Sequence, residues 1–410
     1  MNVFQTIRQD IKDICRIWLE EMRNVVRDEG VLIFFVLVPL AYPLLYSWIY
    51  NNEIVREVPV VVVDHSNTSE SREFIRLSDA SPDVSIAYHA GSIEEAKRII
   101  AHGDAYGIYV FPSDFGLRLN TMRQTSVAVY CDMSLMLAYK AVYQTATNVS
   151  LAMNAGIQVT RAGNTTDRQD ELTTRPLDHD EVALFNPTMG YGSFIIPAVL
   201  MLIIQQTLVL GIGLSAGTAR ERNKYSELVP FVRHYQVFYR IVLGKTLCYF
   251  MIYSVLAAYL TLVVPKLFGF TSLPDLHTLV SIMLPYLLAC IFFGITVSCM
   301  VRYRENVILL VVFMSVPLLF VSGVSWPQSN IPAFWECLSW LFPSTFGVRS
   351  FVRVNTMGAG LVDVVNEYRA LWIQVVVYFF IACGVYNYQI KRSRSSALNR
   401  LRELKKRRRG

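Results

Sequence analysis

Charge is scarce in this sequence: Asp, Glu, Lys and Arg make up 17% of its 410 residues, against about 25% in soluble domains. Together with 53% hydrophobic residues, that deficit argues against a purely soluble protein. Cysteine is sparse and unpatterned. Seven Cys with no CxxC pair and no Cys/His cluster exclude a zinc module or a disulfide scaffold as the organising principle. Cys248, Cys290, Cys299 and Cys383 sit in apolar runs, where cysteine serves as a small apolar side chain. Catalytic signatures are missing as well. No GxSxG, HExxH or EF-hand pattern occurs and the six histidines are scattered, which removes the common hydrolase and metal-site readings. Nor is there an internal repeat of roughly 20–50 residues.

What the sequence does have is long apolar runs. A bilayer is crossed by about 20 mostly apolar residues, and six stretches qualify: 31–50, 192–216, 243–264, 279–300, 306–325 and 370–389. The first is uncharged and ends in the aromatic cluster Tyr46, Trp48 and Tyr50, a headgroup-level signature. It is too long, and its leader too charged, for a cleaved signal peptide, so it is expected to remain as an anchor. Lys and Arg near span ends resist translocation. Segments 1–30, 217–245, 301–305 and 390–410 hold 23 basic residues, whereas the opposite short loops hold four: Lys266, Arg349, Arg353 and Arg369. Both termini are therefore expected in the cytoplasm. Residues 51–190 carry 11 basic and 18 acidic residues and are expected to translocate as a domain. The basic tail 390–410, ending in Lys405–Arg409, follows a span and so suits anionic lipid rather than nucleic acid.

The 51–190 segment alternates strands and helices. Val58–Val63, Val84–Tyr88, Tyr106–Phe111 and Val127–Cys131 read as strands. Ser69–Leu77, Ser92–Ala101 (opened by Ser92-x-x-Glu95) and Ser134–Thr160 read as helices. This alternation predicts a small α/β layer structure, with a mobile polar loop over Arg161–Glu181. In 1–30, Phe4, Ile7, Ile11, Ile14, Trp18, Met22 and Val25 recur every three or four residues. That spacing predicts an amphipathic helix along the membrane face or against a soluble partner.

Site signals are weaker. Asp64-His65 at a strand end sits where α/β sheets carry sites, but a turn-forming Asp capping the next helix reads as well. Asp178, His179, Asp180 and Glu181 suit a cation or a solvated loop. Gly244-Lys245-Thr246 imitates the end of a phosphate-binding loop, yet Tyr239 occupies the first glycine's place and no strand precedes it. Any nucleotide must bind another chain. Polar residues inside spans, Gln205, Gln206, Thr207, Ser315 and Gln374, are candidates for a conduit or for hydrogen bonds between helices. No Asp, Glu, Lys or Arg lies mid-span, which argues against an ion-coupled carrier and fits an apolar or amphipathic cargo.

Between the second and third runs lies a charged stretch with helical spacing, including Arg220, Glu221, Arg222 and Glu227. The pattern Arg220-Glu221-Arg222-x-x-x-x-Glu227 resembles the coupling segment of ABC-2 transporter permeases, with Tyr225-Ser226 where that family usually has Gly-Thr. Asn186-Pro187 before the second run resembles its usual entry. Ser322-Gly323, Trp326-Pro327, Ile331-Pro332 and Pro343 resemble its re-entrant stretch after the fifth span, near 326–346.

The resemblance implies a multi-span α-helical membrane protein with six transmembrane helices and an inserted extracytoplasmic α/β domain between the first and second. In domains, that is a cytoplasmic helix 1–30, a span 31–50, the external domain 51–190, a five-span permease region 191–389 and a basic tail 390–410. It further implies a non-enzymatic permease in a bacterial inner membrane, paired as a homodimer or heterodimer. ATP and Mg would be held by partner ATPase subunits, not by this chain, and a periplasmic adaptor stays open. The competing expectation is a membrane-anchored sensing or assembly protein whose external domain binds a ligand.

Overall fold

The computed structural model describes residues 3–51, 54–163, 166–177, 182, 184–186, 190–223, 228–230, 233–301 and 303–407. Glu227, Tyr225-Ser226, Pro187 and the Asp178–Glu181 cluster lie outside the described residues. Contacts divide the chain into two units: Met1–Glu53 with Leu184–Gly410, and Ile54–Ala183.

The first unit is helical. Among the described residues, six helices are long and apolar enough to cross a membrane: Glu29–Ile49, Tyr191–Arg222, Phe238–Phe268, Leu276–Met300, Arg304–Val321 and Val365–Asn399. The second is the hub, with 89% of its apolar window buried, while the fifth has 17% buried and leaves Val312, Phe313 and Val316 exposed. Close approach to the hub depends on glycine. A Cβ at Gly211 would stand 2.7 Å from Phe35 of the first span, and Cβ atoms at Gly213 and Gly217 2.4 and 2.5 Å from Val307 and Arg304 of the fifth. No larger residue fits there without displacing the neighbouring helix.

Two spans contain a widened π turn, Ile33–Leu37 and Tyr259–Val263, each ending two residues before a proline, Pro39 and Pro265. Proline has no N–H and its ring clashes with the carbonyl a turn earlier; local widening keeps the helix continuous. After the fifth span the chain turns at Gly323, φ +89°, and forms two short helices, Ala333–Ser339 and Pro343–Met357. Pro343 opens the second, where no intrahelical N–H is needed. Its Gly347 packs so closely on Tyr286 of the fourth span that a Cβ would lie 2.3 Å from the ring.

The N-terminal helix, Val3–Arg27, forms where the periodicity placed it, but the docked face only overlaps the apolar stripe, taking in Trp18, Met22 and Val25 and leaving Ile7 and Ile11 outside. Asp13, Ile17, Glu21 and Val25 are buried, whereas Ile7, Ile11, Leu19 and Val26 are exposed. The buried stripe contains carboxylates because basic and hydroxyl partners meet them on the spans.

The second unit contains a four-stranded sheet in the order β2-β1-β3-β4: β1 Val58–Asp64, β2 Val84–His89, β3 Gly107–Phe111 and β4 Ala128–Cys131. β1 is parallel to β2 and β3, and β4 is antiparallel to β3. In β1, Val58, Val60 and Val62 join one core with Phe74 and Val142, while Val61 and Val63 join another with Ala96 and Ile99. A strand buried on both faces reads as an unbroken Val run for this reason. The polar stretch expected as a mobile loop instead includes a helix, Asp167–Thr174, whose N-cap Thr166 accepts from Gln169 N; its polarity reflects exposure, not lack of structure. The short helix Phe115–Asn120 was not anticipated, being too short for periodicity to register.

Candidate functional site

A dense polar cluster lies where the N-terminal helix meets the ends of the second and third spans. Glu21 is its centre. Lys245 Nζ donates to Glu21 Oε2 at 2.9 Å and Ser215 Oγ donates to Oε1 at 2.8 Å; the Tyr249 hydroxyl donates to the same Oε1. The side chains of Glu21 and Lys245 are 2% and 8% exposed, so the pair is effectively out of water. Burial pushes the Glu21 carboxyl upward, but Lys245 with the Tyr249 and Ser215 hydroxyls more than offsets this and holds it below the usual carboxylate range. Glu21 is thus ionised at neutral pH.

Two further anchors flank it. Toward the N-terminus Arg240 pairs with Asp10 and Asp13, and Tyr239 OH donates to Asp10 at 2.7 Å. Toward the first span, Asp28 accepts from Thr218 Oγ1 at 2.6 Å, Arg304 Nη2 at 2.9 Å and Val31 N at 3.2 Å. It thereby caps the first span and links it to the second and fifth. Glu20 accepts from Tyr235 OH at 3.0 Å, with His234 Nε2 at the same distance. A cavity of about 310 Å³ opens among these groups, lined by Glu20, Glu21, Asn24, Asp28, Arg222 and Lys245 among others.

The phosphate-loop look-alike is explained here. Gly244 lets Ile17 approach, since a Cβ would lie 2.8 Å from it, and Lys245 is the partner of Glu21. These are helix-packing residues. The third span begins at Phe238, earlier than the sequence suggested, so Lys245 lies two turns inside it. A charge can stand there because its partner is supplied by the N-terminal helix.

The coupling-like residues divide among roles. Arg220, Glu221 and Arg222 form the last turn of the second span, Tyr191–Arg222, not a separate helix. Arg220 is buried and donates to the Cys299 carbonyl of the fourth span at 3.0 Å. Arg222 donates to Asn24 Oδ1 of the N-terminal helix at 2.9 Å. Glu221 is exposed. Downstream, Leu228 and Val229 are buried, and Ser393 Oγ, on the helix of the sixth span, donates to the Val229 carbonyl at 3.0 Å. Any push on this end of the second span therefore reaches the N-terminal helix and the fourth span directly, and the sixth-span helix lies on the segment that follows.

The span-embedded polar residues are not gathered into one channel. Gln205 is buried and accepts from Ser344 N at 2.6 Å, at the start of helix Pro343–Met357. Gln374 donates to the Trp340 carbonyl at 2.7 Å. Thr207 and Ser315 bond back to Ile203 and Val312 of their own helices. Gln206 is partly buried and faces a second, apolar cavity. Ser322 donates to the Leu319 carbonyl and its own carbonyl accepts from Arg349 Nε; Gly323 turns the chain, and Pro327, Pro332 and Pro343 each immediately precede or open a short helix. In the second unit Asp64 accepts from Ser66 N, Asn67 N and Ser71 Oγ at 2.9, 3.0 and 2.7 Å: the turn-forming role.

Glu21, Asp28, Lys245 and Arg304 escaped sequence reasoning. The available signals were carboxylates at positions 13 and 21 flanking Ile17 at a four-residue period, and a lysine at the mouth of an apolar run.

Comparison with known proteins gives a consistent result. A family model described as "ABC-2 family transporter protein" matches residues 30–383. Among curated proteins, "Probable multidrug ABC transporter permease YbhR" of Escherichia coli (strain K12) is 20% identical over 348 residues, covering 83% of this chain and 88% of that protein. The protein of that name from Escherichia coli O157:H7 matches to the same extent. With the family model spanning most of the sequence, including all six apolar helices in whole or part, this chain belongs to the ABC-2 family of transporter proteins.

Proposed function

We propose that this chain is the permease subunit of an ABC exporter, moving an apolar or amphipathic substrate out of the cytoplasm or the inner leaflet. Separate cytoplasmic ATPase subunits bind ATP and Mg; two permeases, identical or related, form the translocating pair. The chain sits in a bacterial inner membrane with both termini cytoplasmic, and the α/β unit of Ile54–Ala183 stands outside. The charge asymmetry of the short loops supports that orientation, and the name of the relatives, "Probable multidrug ABC transporter permease YbhR", supports the cargo class.

The observation that carries the coupling role is the clamped end of the second span. Glu221 is exposed while its neighbours Arg220 and Arg222 tie the same turn to the fourth span and to the N-terminal helix. A subunit gripping Glu221 moves the hub helix and the N-terminal helix as one. Isolation in mild detergent, with ATP hydrolysis recorded for the wild type and Glu221→Arg, tests this. We expect an ATPase subunit in equal amount and hydrolysis uncoupled by the substitution. Recovery of the intact permease oligomer without any ATPase would overturn the reading.

A further inference from the structure

The helix of the sixth span runs unbroken from Val365 to Arg407, 43 residues, with no proline in it. At 1.5 Å per residue that is about 65 Å, whereas a bilayer with its headgroups is about 40–45 Å thick. Even at the usual tilt of about 20°, roughly 15–20 Å of helix stands clear of the bilayer. The packing shows at which end. Near its start the helix is engaged, Glu367 pairing with Arg353 and Gln374 donating to the Trp340 carbonyl. Toward the other end, Arg392 lies within electrostatic reach of Arg220 in the last turn of the second span, which itself holds the Cys299 carbonyl at the end of the fourth. Ser393 Oγ donates to the Val229 carbonyl, just past the second span. Residues 394–407 then carry the helix about 20 Å beyond those span ends, and Arg394, Ser395, Leu398 and Asn399 are exposed.

Residues 391–407 hold eight Lys or Arg and one acid, Glu403. Anionic lipid attracts such a run only within about 8–10 Å of the surface, so it serves the first turns and not the last. The same stretch carries Leu398, Leu401 and Leu404 at three-residue spacing, an apolar strip beside the charges. That combination suits a helix laid on a protein surface better than one tracking phosphates. Its neighbour in space decides which protein. Because Ser393 is tied to the segment that follows Arg222, a subunit docked on the exposed Glu221 lies alongside the protruding helix.

We propose that residues 394–407 are a second docking element for the ATPase subunit, a basic helix that lies on an acidic, partly apolar face of that subunit while it grips the end of the second span. The proposal rests on the exporter reading and adds a contact outside the coupling segment. Since this helix is continuous with the sixth span, the contact moves that span together with the ATPase.

The test uses the full-length tagged permease isolated in mild detergent from its own membranes together with its ATPase subunit, the latter identified by mass spectrometry from its nucleotide-binding motifs. A photo-crosslinking amino acid in place of the exposed Leu398 should join the permease to that subunit, at a peptide rich in Asp and Glu. On immobilised permease, the combined substitutions Arg400→Gln, Arg402→Gln and Lys405→Gln should lower the ATPase retained at about 0.15 M salt roughly eightfold, about twofold per surface pair, with the melting temperature of the permease unchanged. Arg400→Lys with Arg402→Lys should retain it. ATPase recovered with the wild type, but no crosslink from position 398 and equal retention by the Gln variant, would overturn this inference alone and leave the exporter reading standing. A crosslink with undiminished retention would refute the charged contact. Crosslinks only to lipid, to nuclease-sensitive material or to a second permease would overturn the inference and name that partner instead. Recovery of no ATPase at all would remove the exporter reading and this contact with it.

Discussion

Removing Lys245 alone, by Lys245→Met, should leave the Glu21 carboxylate buried with only the Tyr249 and Ser215 hydroxyls for compensation. At 2% and 8% side-chain exposure, both groups have given up nearly all of their hydration. Breaking a buried pair from one side costs about 3–5 kcal/mol. Glu21→Leu, which strands the ammonium, should cost a similar amount. The double variant replaces two charges by apolar groups of comparable volume and should cost little, about 0–1 kcal/mol, because the desolvation of both ions is removed along with their attraction. The cycle therefore predicts strong non-additivity, at or above the roughly 1–3 kcal/mol seen for contacting pairs. Thermal unfolding of the purified permease would show each single variant about 10 °C below wild type, taking roughly 2–4 °C per kcal/mol, and the double variant near it. Single effects that simply add in the double variant would refute a direct pair and would mean that the two residues act through separate neighbours.

Other consequences follow from the same packing. Because the folded-state Glu21 carboxyl is held below its unfolded value, its contribution to docking the N-terminal helix is complete above about pH 4.3 and is lost as pH falls through the lower folded value. Protease susceptibility of Val3–Arg27 should accordingly be flat from pH 8 to about 5 and rise only in stronger acid; a rise near pH 6 would contradict it. Gly213→Leu should sharply lower the yield and melting temperature of the permease, since a Cβ alone already meets Val307 at 2.4 Å and overpacking costs about 1–3 kcal/mol or more. Gly156→Ala, at an open helical position, should instead stabilise the second unit by about 0.5–1 kcal/mol, as read from its urea midpoint. Asp64→Ala removes the acceptor for three donors and should cost that unit about 1–3 kcal/mol by the same measurement. Equal stability would show that water replaces the carboxylate.

The elements that formed where the sequence indicated are those whose signal is local. Each apolar run became a helix of spanning length because backbone polar groups in hydrocarbon must be satisfied within the segment, a requirement each stretch meets alone. The Val58–Val63 run and the Ser92 cap likewise announce a strand and a helix start from neighbouring residues. Local grammar failed where the decisive partner was distant or the element short. The polar run after Ala162 gave no apolar period from which a helix could be read, though Thr166 caps one.

The charged end of the second span was legible as a pattern, yet its division of contacts was not: Arg220 inward, Arg222 to Asn24, Glu221 outward. Composition, periodicity and loop charge thus determine by themselves that this is a many-spanned membrane protein with a small α/β unit, since these properties are set residue by residue along the chain. Tertiary structure alone decided that the N-terminal helix is bolted through Glu21 to a lysine 224 positions away, that Gly211, Gly213 and Gly217 face three particular neighbours, and that Gln205 accepts from the distant Ser344 N. Pairing across such separations depends on which helices pack together, and a single sequence carries no record of that choice.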